Sequence, residues 1–257
     1  MGGLKRVLAV ASNTFRETIR ERVLYNLVFF AVLMTISGLL LGHLSIRQDE
    51  KIIKDLGLGA MDVFGTVIAI FIGVQLVSKE IERRSLFPLL AKPLGREEFL
   101  IGKAAGLAFT LLVNVAVMTL GLYLTLLLTG RALDPDLLKA VYGIYLGLLL
   151  VMALALMFST LTSSAVASIC TFVVVVAGRY SDVIRNIKEV AADVPSGLIQ
   201  TLYWVLPNFR NFDFKNAVVY SVPVPPGTLT LVTLYALVYL TVVLGIAMAT
   251  FRSKDFQ

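Results

Sequence analysis

The chain has 257 residues, of which 58% are hydrophobic and 16% are charged, and its mean hydropathy is +0.85. A soluble domain of this length carries about 25% charged residues, so the composition excludes a protein that faces water on all sides. The formal net charge of +6 suits Lys and Arg that set membrane topology and contact lipid headgroups. No basic stripe is interleaved with aromatic residues, so we expect no nucleic-acid partner. The composition predicts an all-α integral membrane protein in a lipid bilayer.

Residues that could carry chemistry are scarce. A single cysteine, Cys170, excludes an internal disulfide and a cysteine-rich metal site, and a single histidine, His43, excludes a multi-histidine site. Neither paired membrane carboxylates nor a Ser/His arrangement occurs. We therefore expect no catalytic residue, no metal and no cofactor in this chain, and a membrane subunit in place of an enzyme.

Residues 4–22 form the first predicted element. Apolar side chains recur at helical spacing, with basic and acidic residues elsewhere on the helical wheel, and such a helix lies in the membrane interface. The helix is either a simple anchor for the first span or an elbow helix that also flanks a partner subunit. The stripe consists of Leu4, Val7, Leu8, Ala11, Phe15, Ile19 and Val23.

Charge-free stretches divide the rest of the chain, since a helix needs about 20 mostly apolar residues to cross the hydrocarbon. The polar run 159–164 breaks one long stretch into a tight hairpin, and the proline cluster 223–227 precedes the last span. We predict six transmembrane helices in one domain covering residues 1–257. The spans are predicted at about residues 24–42, 59–77, 104–128, 141–158, 165–178 and 229–250.

Lys and Arg set the predicted orientation. They are more numerous on the side that holds the N-terminal segment, the loop after the second span and the C-terminal tail. Because cytoplasmic flanks carry an excess of Lys and Arg, we place both termini in the cytoplasm. We expect a multi-pass protein of the cytoplasmic (inner) membrane of a prokaryote.

The loop of residues 179–227 is predicted to be extracytoplasmic. Its apolar run 198–206 is too short to span the bilayer but suits a re-entrant or interfacial helix, since Trp and Tyr favour the headgroup level. The segment is either a surface loop that rests on the bilayer, or an extracytoplasmic gate or docking surface for a periplasmic partner. The candidate residues are Tyr203, Trp204, Pro207 and Asn208.

Few polar residues occur in the predicted spans. Asn114 lies in the third span, where it serves either helix-to-helix hydrogen bonding or a substrate path. Asp62 and His43 lie near the outer interface. A proton-coupled transporter usually needs buried ionisable groups, and no convincing set is present. This pattern favours an energy source outside the chain.

The segment 79–103 after the second span combines charges with short apolar runs, and it is either a solvated loop or a short helix along the membrane surface. Its nearest approach to a phosphate-binding P-loop is Gly95 to Ala104. The spacing between glycines is too long and alanine replaces the required Ser or Thr. We therefore expect ATP hydrolysis on another chain.

The same segment resembles the signature of ABC-2 type ABC transporter permeases. The six-span layout and the amphipathic N-terminal helix agree, so the resemblance covers nearly the whole chain, although Arg84-Ser85 stands where the family usually has Gly-Thr. Residues 206–208 and 211–213 resemble an element of the branch that includes copper-processing permeases for nitrous oxide reductase maturation. The family motif is carried by Lys79-Glu80-Ile81-Glu82, Leu89-Leu90, Pro93-Leu94-Gly95-Arg96-Glu97-Glu98 and Gly102-Lys103.

The resemblance implies a function and a mechanism. Residues 79–103 would form a coupling helix in a groove of a cytoplasmic ABC ATPase, and two permeases, as a homodimer or heterodimer, would work with two ATPases that bind ATP and Mg. The subunit would export a substrate or transmit force to an extracytoplasmic partner. The alternative is a self-standing secondary transporter or a membrane scaffold. Charge-assisted contacts would come from Glu80, Glu82, Arg83 and Arg84, and apolar anchors from Leu86, Phe87 and Leu89.

Overall fold

The computed structural model describes residues 3–18, 29–30, 49–82, 95–131, 133–181 and 205–253. These residues are helical throughout apart from turns and short connections, and none of them forms a strand, which confirms the all-α prediction. In chain order the elements are α1 (Gly3–Thr18), α2 (Asp49–Glu82), α3 (Arg96–Leu128), α4 (Leu137–Leu161), α5 (Ser164–Arg179), a 3-10 helix (Phe209–Phe212), α6 (Lys215–Val219) and α7 (Thr228–Ser253).

Four of the described helices, α2, α3, α4 and α7, are long and apolar enough to cross a membrane. The apolar helix α5 has 16 residues, or about 24 Å, which is shorter than the roughly 30 Å of hydrocarbon. The predicted first span, 24–42, lies outside the described residues apart from Phe29 and Phe30. Phe29 meets the ring of Phe64 in α2 at 5.4 Å. A count of six spans therefore stays a prediction.

Two helices extend beyond the predicted spans. Helix α2 begins at Asp49, before the predicted start at residue 59, and continues to Glu82. Helix α3 begins at Arg96, whereas the third span was predicted from residue 104. Both ends of the predicted loop 79–103 are therefore helical, and residues 83–94 lie outside the described part. The span predictions stopped at charged residues, but a helix can continue past the hydrocarbon into the headgroups and water.

Helix α4 lies at the centre of the bundle and contacts α2, α3, α5 and α7. Residues 150–156 are all buried, as expected for a helix that is apolar on every side. The backbones of α2 and α4 approach closely, since a Cβ atom on Gly73 would lie 2.7 Å from the Cβ of Ala155. Small residues allow such contacts in membrane helices.

Helix α1 packs along the first half of α3, and the two helices run in the same direction. Contacts proceed in order from Val10 beside Gly102, to Thr14 beside Gly106, to the ring of Phe15 at 4.7 Å from Phe109. These two glycines let the backbones approach, because a Cβ on Gly106 would lie 2.6 Å from the carbonyl oxygen of Ala11.

The predicted apolar stripe of α1 is divided between two faces. Val7, Ala11 and Phe15 contact α3, whereas Leu4 and Leu8 are exposed. The sequence pattern did not distinguish these faces, because it did not include the contact with α3. Helix α1 is therefore a packed element of the bundle as well as an amphipathic one.

Several buried threonine hydroxyl groups inside the bundle bond to their own helices. Thr110 donates to the carbonyl oxygen of Gly106 at 2.9 Å, and Thr119 and Thr171 each donate to the carbonyl four residues earlier at 2.7 Å. Such local bonds satisfy a hydroxyl where no water is near. The middle of the bundle thus accommodates threonine without requiring a partner helix.

A cluster of charges joins α2 to the loop between α3 and α4. The ammonium of Lys54 is 2.6 Å from a carboxylate oxygen of Glu50 and 2.8 Å from one of Asp134. Lys54 is only 4% exposed, so its charge depends on these partners. The hydroxyl of Tyr123 donates to the backbone carbonyl of Asp134 at 2.9 Å, which holds the loop against α3.

We predict that Gly106→Ala destabilises the protein by about 1–3 kcal/mol, the usual cost of overpacking, because the new methyl group collides with the backbone of α1. Gly245→Ala is the matched control, since nothing lies within 4 Å of a Cβ at that helical position and Ala is the better helix former. Thermal unfolding in detergent measures both. Equal unfolding temperatures for the two variants would contradict the close approach of α1.

We predict that Asp134→Asn lowers the unfolding temperature at pH 7. Burial alone would raise the pKa of Asp134, but the hydrogen bonds from Lys54 and from the Asp136 backbone N–H hold it below its usual value. A lowered pKa means that the carboxylate stabilises the fold above its unfolded-state pKa and stops doing so as the pH falls through the folded-state pKa.

The difference between wild type and Asp134→Asn should therefore be constant from about pH 5 to 8 and shrink below about pH 4. Thermal unfolding across a pH series checks this. A difference that grew on acidification would show that the carboxylate does not stabilise the fold through its charge.

Candidate functional site at the α1 end of the bundle

The helix directions define two ends of the bundle. The α1 end holds α1, the C-terminal ends of α2, α4 and α7, and the N-terminal ends of α3 and α5. The far end holds the opposite helix ends together with the 3-10 helix and α6. The predicted coupling segment 79–103 runs from the C-terminal end of α2 to the N-terminal end of α3, so the candidate site for a partner lies at the α1 end.

The backbone at Gly95 starts helix α3. Its carbonyl accepts the N–H of Phe99 at 3.1 Å, which is the first bond of the helix, and its N–H donates to Glu98 at 3.4 Å. The carboxylate of Glu98 also lies 3.6 Å from a guanidinium nitrogen of Arg6. Both side chains are about one-third exposed, so this pair adds little stability but orients the start of α3 against α1.

Lys103 lies inside α3 and is 2% exposed. Its ammonium is 3.9 Å from a carboxylate oxygen of Glu17 in α1 and 5.4 Å from the ring centroid of Phe99. A cation so little exposed to water needs both kinds of partner. Gly102 and Lys103, which the resemblance places in one motif, therefore both contact α1.

An open cavity of about 600 Å³ lies at this end, lined by Arg6, Gly95, Glu97, Glu98 and Arg252. The guanidinium of Arg252 at the end of α7 is 3.9 Å from Glu97, and both are well exposed. Nearby, the rings of Phe99 and Phe251 stack at 6.4 Å. Charges of both signs around a concave surface can form charge-assisted contacts with a protein partner.

The other predicted coupling residues are only partly placed. Glu80 and Glu82 belong to the last turn of α2, and Arg96 is the first residue of α3. The remaining candidates lie outside the described residues, so the coupling helix itself stays a prediction. They are Arg83, Arg84, Leu86, Phe87 and Leu89, and Pro93 of the family motif lies outside the described residues too.

Two of the four predicted gate residues, Pro207 and Asn208, lie at the far end. Tyr203 and Trp204 are outside the described residues. Pro207 is buried, and its carbonyl oxygen would lie 2.2 Å from a Cβ on Gly178. Asn208 donates its backbone N–H to the Tyr235 hydroxyl at 2.9 Å and accepts the Arg210 N–H at 3.1 Å through its side chain. This pair of residues joins the 3-10 helix to α5 and α7.

Asn114 lies in α3, one turn beyond Thr110, and is 2% exposed. Within the described part of the chain, neither polar atom of its amide has a hydrogen-bond partner. The expected helix-to-helix hydrogen bond is therefore not formed among these residues. The same residues contain no group of three or more His, Cys, Asp or Glu placed to hold a metal ion.

Comparison with known proteins identifies the family. The model of the ABC-2 family transporter proteins matches residues 8–256 of the chain. This chain belongs to that family. Among curated proteins, none matches it. The chain is thus a multi-pass transmembrane permease of the ABC transporter class, whose membrane subunits are generally not enzymes. The match does not separate branches, so the resemblance to copper-processing permeases stays a prediction.

Sequence reasoning missed the ion pair of Asp62 and Arg179 in this permease. Arg179 binds both carboxylate oxygens of Asp62, one of them at 2.8 Å, and donates to Thr66 at 2.9 Å. The available signal was that both charges lie at the predicted outer ends of their spans. Asp62 was considered only as a polar residue near the outer interface, and Arg179 only as one of the Lys and Arg residues that set the orientation.

We predict that Asn114→Leu leaves the unfolding temperature of the permease unchanged or raises it. Replacing a buried amide that has no partner among the described residues with an apolar residue of similar size removes a desolvation cost of about 1–3 kcal/mol. Thr110→Val is a matched control one turn away, where the hydroxyl is bonded. A fall of several degrees for Asn114→Leu in a thermal unfolding assay would mean that the amide has a partner and that this account of Asn114 is wrong.

Proposed function

We propose that this permease couples ATP hydrolysis by a separate cytoplasmic ABC ATPase to movement of its spans. The movement either exports a substrate or transmits force to an extracytoplasmic partner. The working unit would contain two permeases and two ATPases, with ATP and Mg bound by the ATPases. We place the α1 end and both termini in the cytoplasm, in the inner membrane of a prokaryote.

One observation carries the proposal: the two helices that flank the predicted coupling segment are much longer than the bilayer is thick. Helix α2 has 34 residues and α3 has 33, which correspond to about 50 Å each, against roughly 30 Å of hydrocarbon. Both helices therefore extend past the hydrocarbon. Residues 83–94 connect the C-terminal end of α2 to the N-terminal end of α3, so a force applied there acts on two continuous helices.

The packing of α1 supports the same mechanism. Because Gly102 and Gly106 hold the backbones of α1 and α3 in contact, a tilt of α3 moves α1 with it. The salt bridge from Lys103 to Glu17 adds a polar link between the same helices. Interfaces packed this closely move as rigid bodies, since cores resist continuous deformation.

The energy source must be a separate chain in this proposal. The sequence contains no Gly-x-x-x-x-Gly-Lys-Ser/Thr motif to hold the phosphates of ATP. A secondary transporter or a scaffold is the alternative, and the family match favours the permease because members of that family typically work with a cytoplasmic ATPase.

The test is the pair of charge reversals Glu80→Lys and Glu82→Lys in the affinity-tagged chain, purified in mild detergent from its native host. We predict that an ABC ATPase co-purifies with the wild type, and that the double variant loses at least about nine-tenths of it, because like charges then face each other at the contact. Mass spectrometry identifies and quantifies the ATPase.

Asp136→Lys is the control, since Asp136 is an exposed carboxylate at the far end whose side chain pairs only locally with Lys139 in the described structure. It should retain the ATPase. Membrane insertion is checked for each variant by its recovery in the membrane fraction. Equal ATPase recovery with the double variant and the wild type would refute the coupling role of these residues, and absence of any ATPase from the wild type would favour the secondary transporter or scaffold.

A further inference from the structure

A second cavity lies at the far end of the bundle, away from the proposed ATPase contact. It has a volume of about 430 Å³, within the range of small-ligand sites, and lies between α2, α4, α5 and the segment that contains the 3-10 helix and α6. The described charged residues of its lining come from α2, from α5 and from the segment that contains the 3-10 helix and α6. They are Asp62, Arg179, Arg210, Asp213 and Lys215.

Among the described residues of this lining positive charge predominates, with three cations against two carboxylates. Asp62 serves two of the cations, because Arg179 binds both of its oxygens and the Lys215 ammonium lies 3.5 Å from one of them. The other carboxylate, Asp213, accepts the backbone N–H of Lys215 at 3.1 Å. The described lining therefore keeps a net positive charge.

Lys215 is the cation best placed to take a new partner. Its contact with Asp62 is at the outer limit of a hydrogen bond, and an ammonium has three donors. Its side chain is 22% exposed and therefore not tightly enclosed, so its ammonium can turn toward a ligand in the cavity. By contrast, Arg179 is held by Asp62 and Thr66 and fixes the geometry of the cavity wall.

The cavity lining also contains apolar residues. They are Ile144 and Val151 of α4, beside Gly147, and Phe209 and Phe212 of the 3-10 helix. A few polar groups among apolar side chains are the usual composition of a ligand site. The amide of Asn216 adds a further donor to the lining.

We propose that this far-end cavity binds one phosphate group, held by Lys215 and Arg210. The Asp62–Arg179 pair forms part of the cavity wall that the entering phosphate group passes. A phosphate offers more acceptor oxygens than a carboxylate and can bond to lysine, arginine and amide donors together. The phosphate could belong to a free anion or to a phospholipid headgroup, since the site lies at the end of the apolar helix α5.

The first experiment measures binding of inorganic phosphate to the purified permease in detergent, without any ATPase. We predict that phosphate raises the unfolding temperature by about 5 °C when its concentration is about 100 times Kd, relative to chloride at equal ionic strength. In Lys215→Gln/Arg210→Gln the added rise should be lost. The general stabilising effect of phosphate on proteins is common to both and cancels in the comparison.

Lys139→Gln is the matched control, because Lys139 is a partly exposed cation at the same end that does not line the cavity. It should keep the full response. The second experiment reconstitutes each protein with equal phosphatidylglycerol and phosphatidylcholine and counts the retained lipids by native mass spectrometry. The double variant should retain about one-tenth as much phosphatidylglycerol as Lys139→Gln does.

A response to inorganic phosphate that the double variant lacks supports a free-anion site. No such response, but loss of retained phosphatidylglycerol in the double variant, supports a lipid headgroup site. If the double variant equals Lys139→Gln in both experiments, the cavity binds no phosphate and the proposal is overturned. These experiments contain no ATPase, so their outcomes do not test the proposed ATPase partner.

Discussion

Hydrocarbon does not solvate a charge, and the cost of moving an ion out of water determines where this chain can place its charged side chains. Two buried lysines, Lys54 and Lys103, show the effect of this cost, because each lies beside a carboxylate. Lys54 lies beside Glu50 and Asp134 at the far end, and Lys103 lies near Glu17 at the α1 end. Between these levels the described helices pack mainly through apolar side chains, small residues and threonines bonded to their own backbone, with Asn114 as a buried amide. The chain is in this sense built from an apolar middle and two polar ends.

The two ends have different chemistry, and that difference supports different roles. At the α1 end, long helices, a closely packed α1 and an open cavity of mixed charge suit a contact with a protein that moves. At the far end, a smaller cavity with excess positive charge suits a phosphate group. The central helix α4 contacts both α2 and α7, so displacement at one end can reach the other through packed helices.

Much of the architecture could be predicted from the sequence because membrane spans are long, apolar and free of charge. The predicted spans 104–128, 141–158, 165–178 and 229–250 lie inside α3, α4, α5 and α7. The extensions of α2 and α3 could not be predicted in the same way, because a charged residue ends the apolar signal without ending the helix. The resemblance in the segment after the second span identified the family that the comparison then confirmed.

The paired charges were beyond sequence reasoning for another physical reason. Asp62 and Arg179 are 117 residues apart, and Lys54 and Asp134 are 80 apart, so only the folded bundle brings them together. The contact of α1 with α3 was missed for the same reason, although Gly102 and Gly106, which permit the close packing, can be read from the sequence. Their partner helix depends on the tertiary arrangement, which helical periodicity does not specify.

The central claim is that the α1 end faces the cytoplasm and the far end faces the outside. Cysteine labelling in intact cells tests it most directly, with Cys170→Ser as background and single cysteines introduced as Ser85→Cys and Ser221→Cys. A membrane-impermeant maleimide should label position 221 in intact cells, and position 85 only after the membrane is permeabilised. Labelling of both positions in intact cells, or the reverse order, would contradict the account.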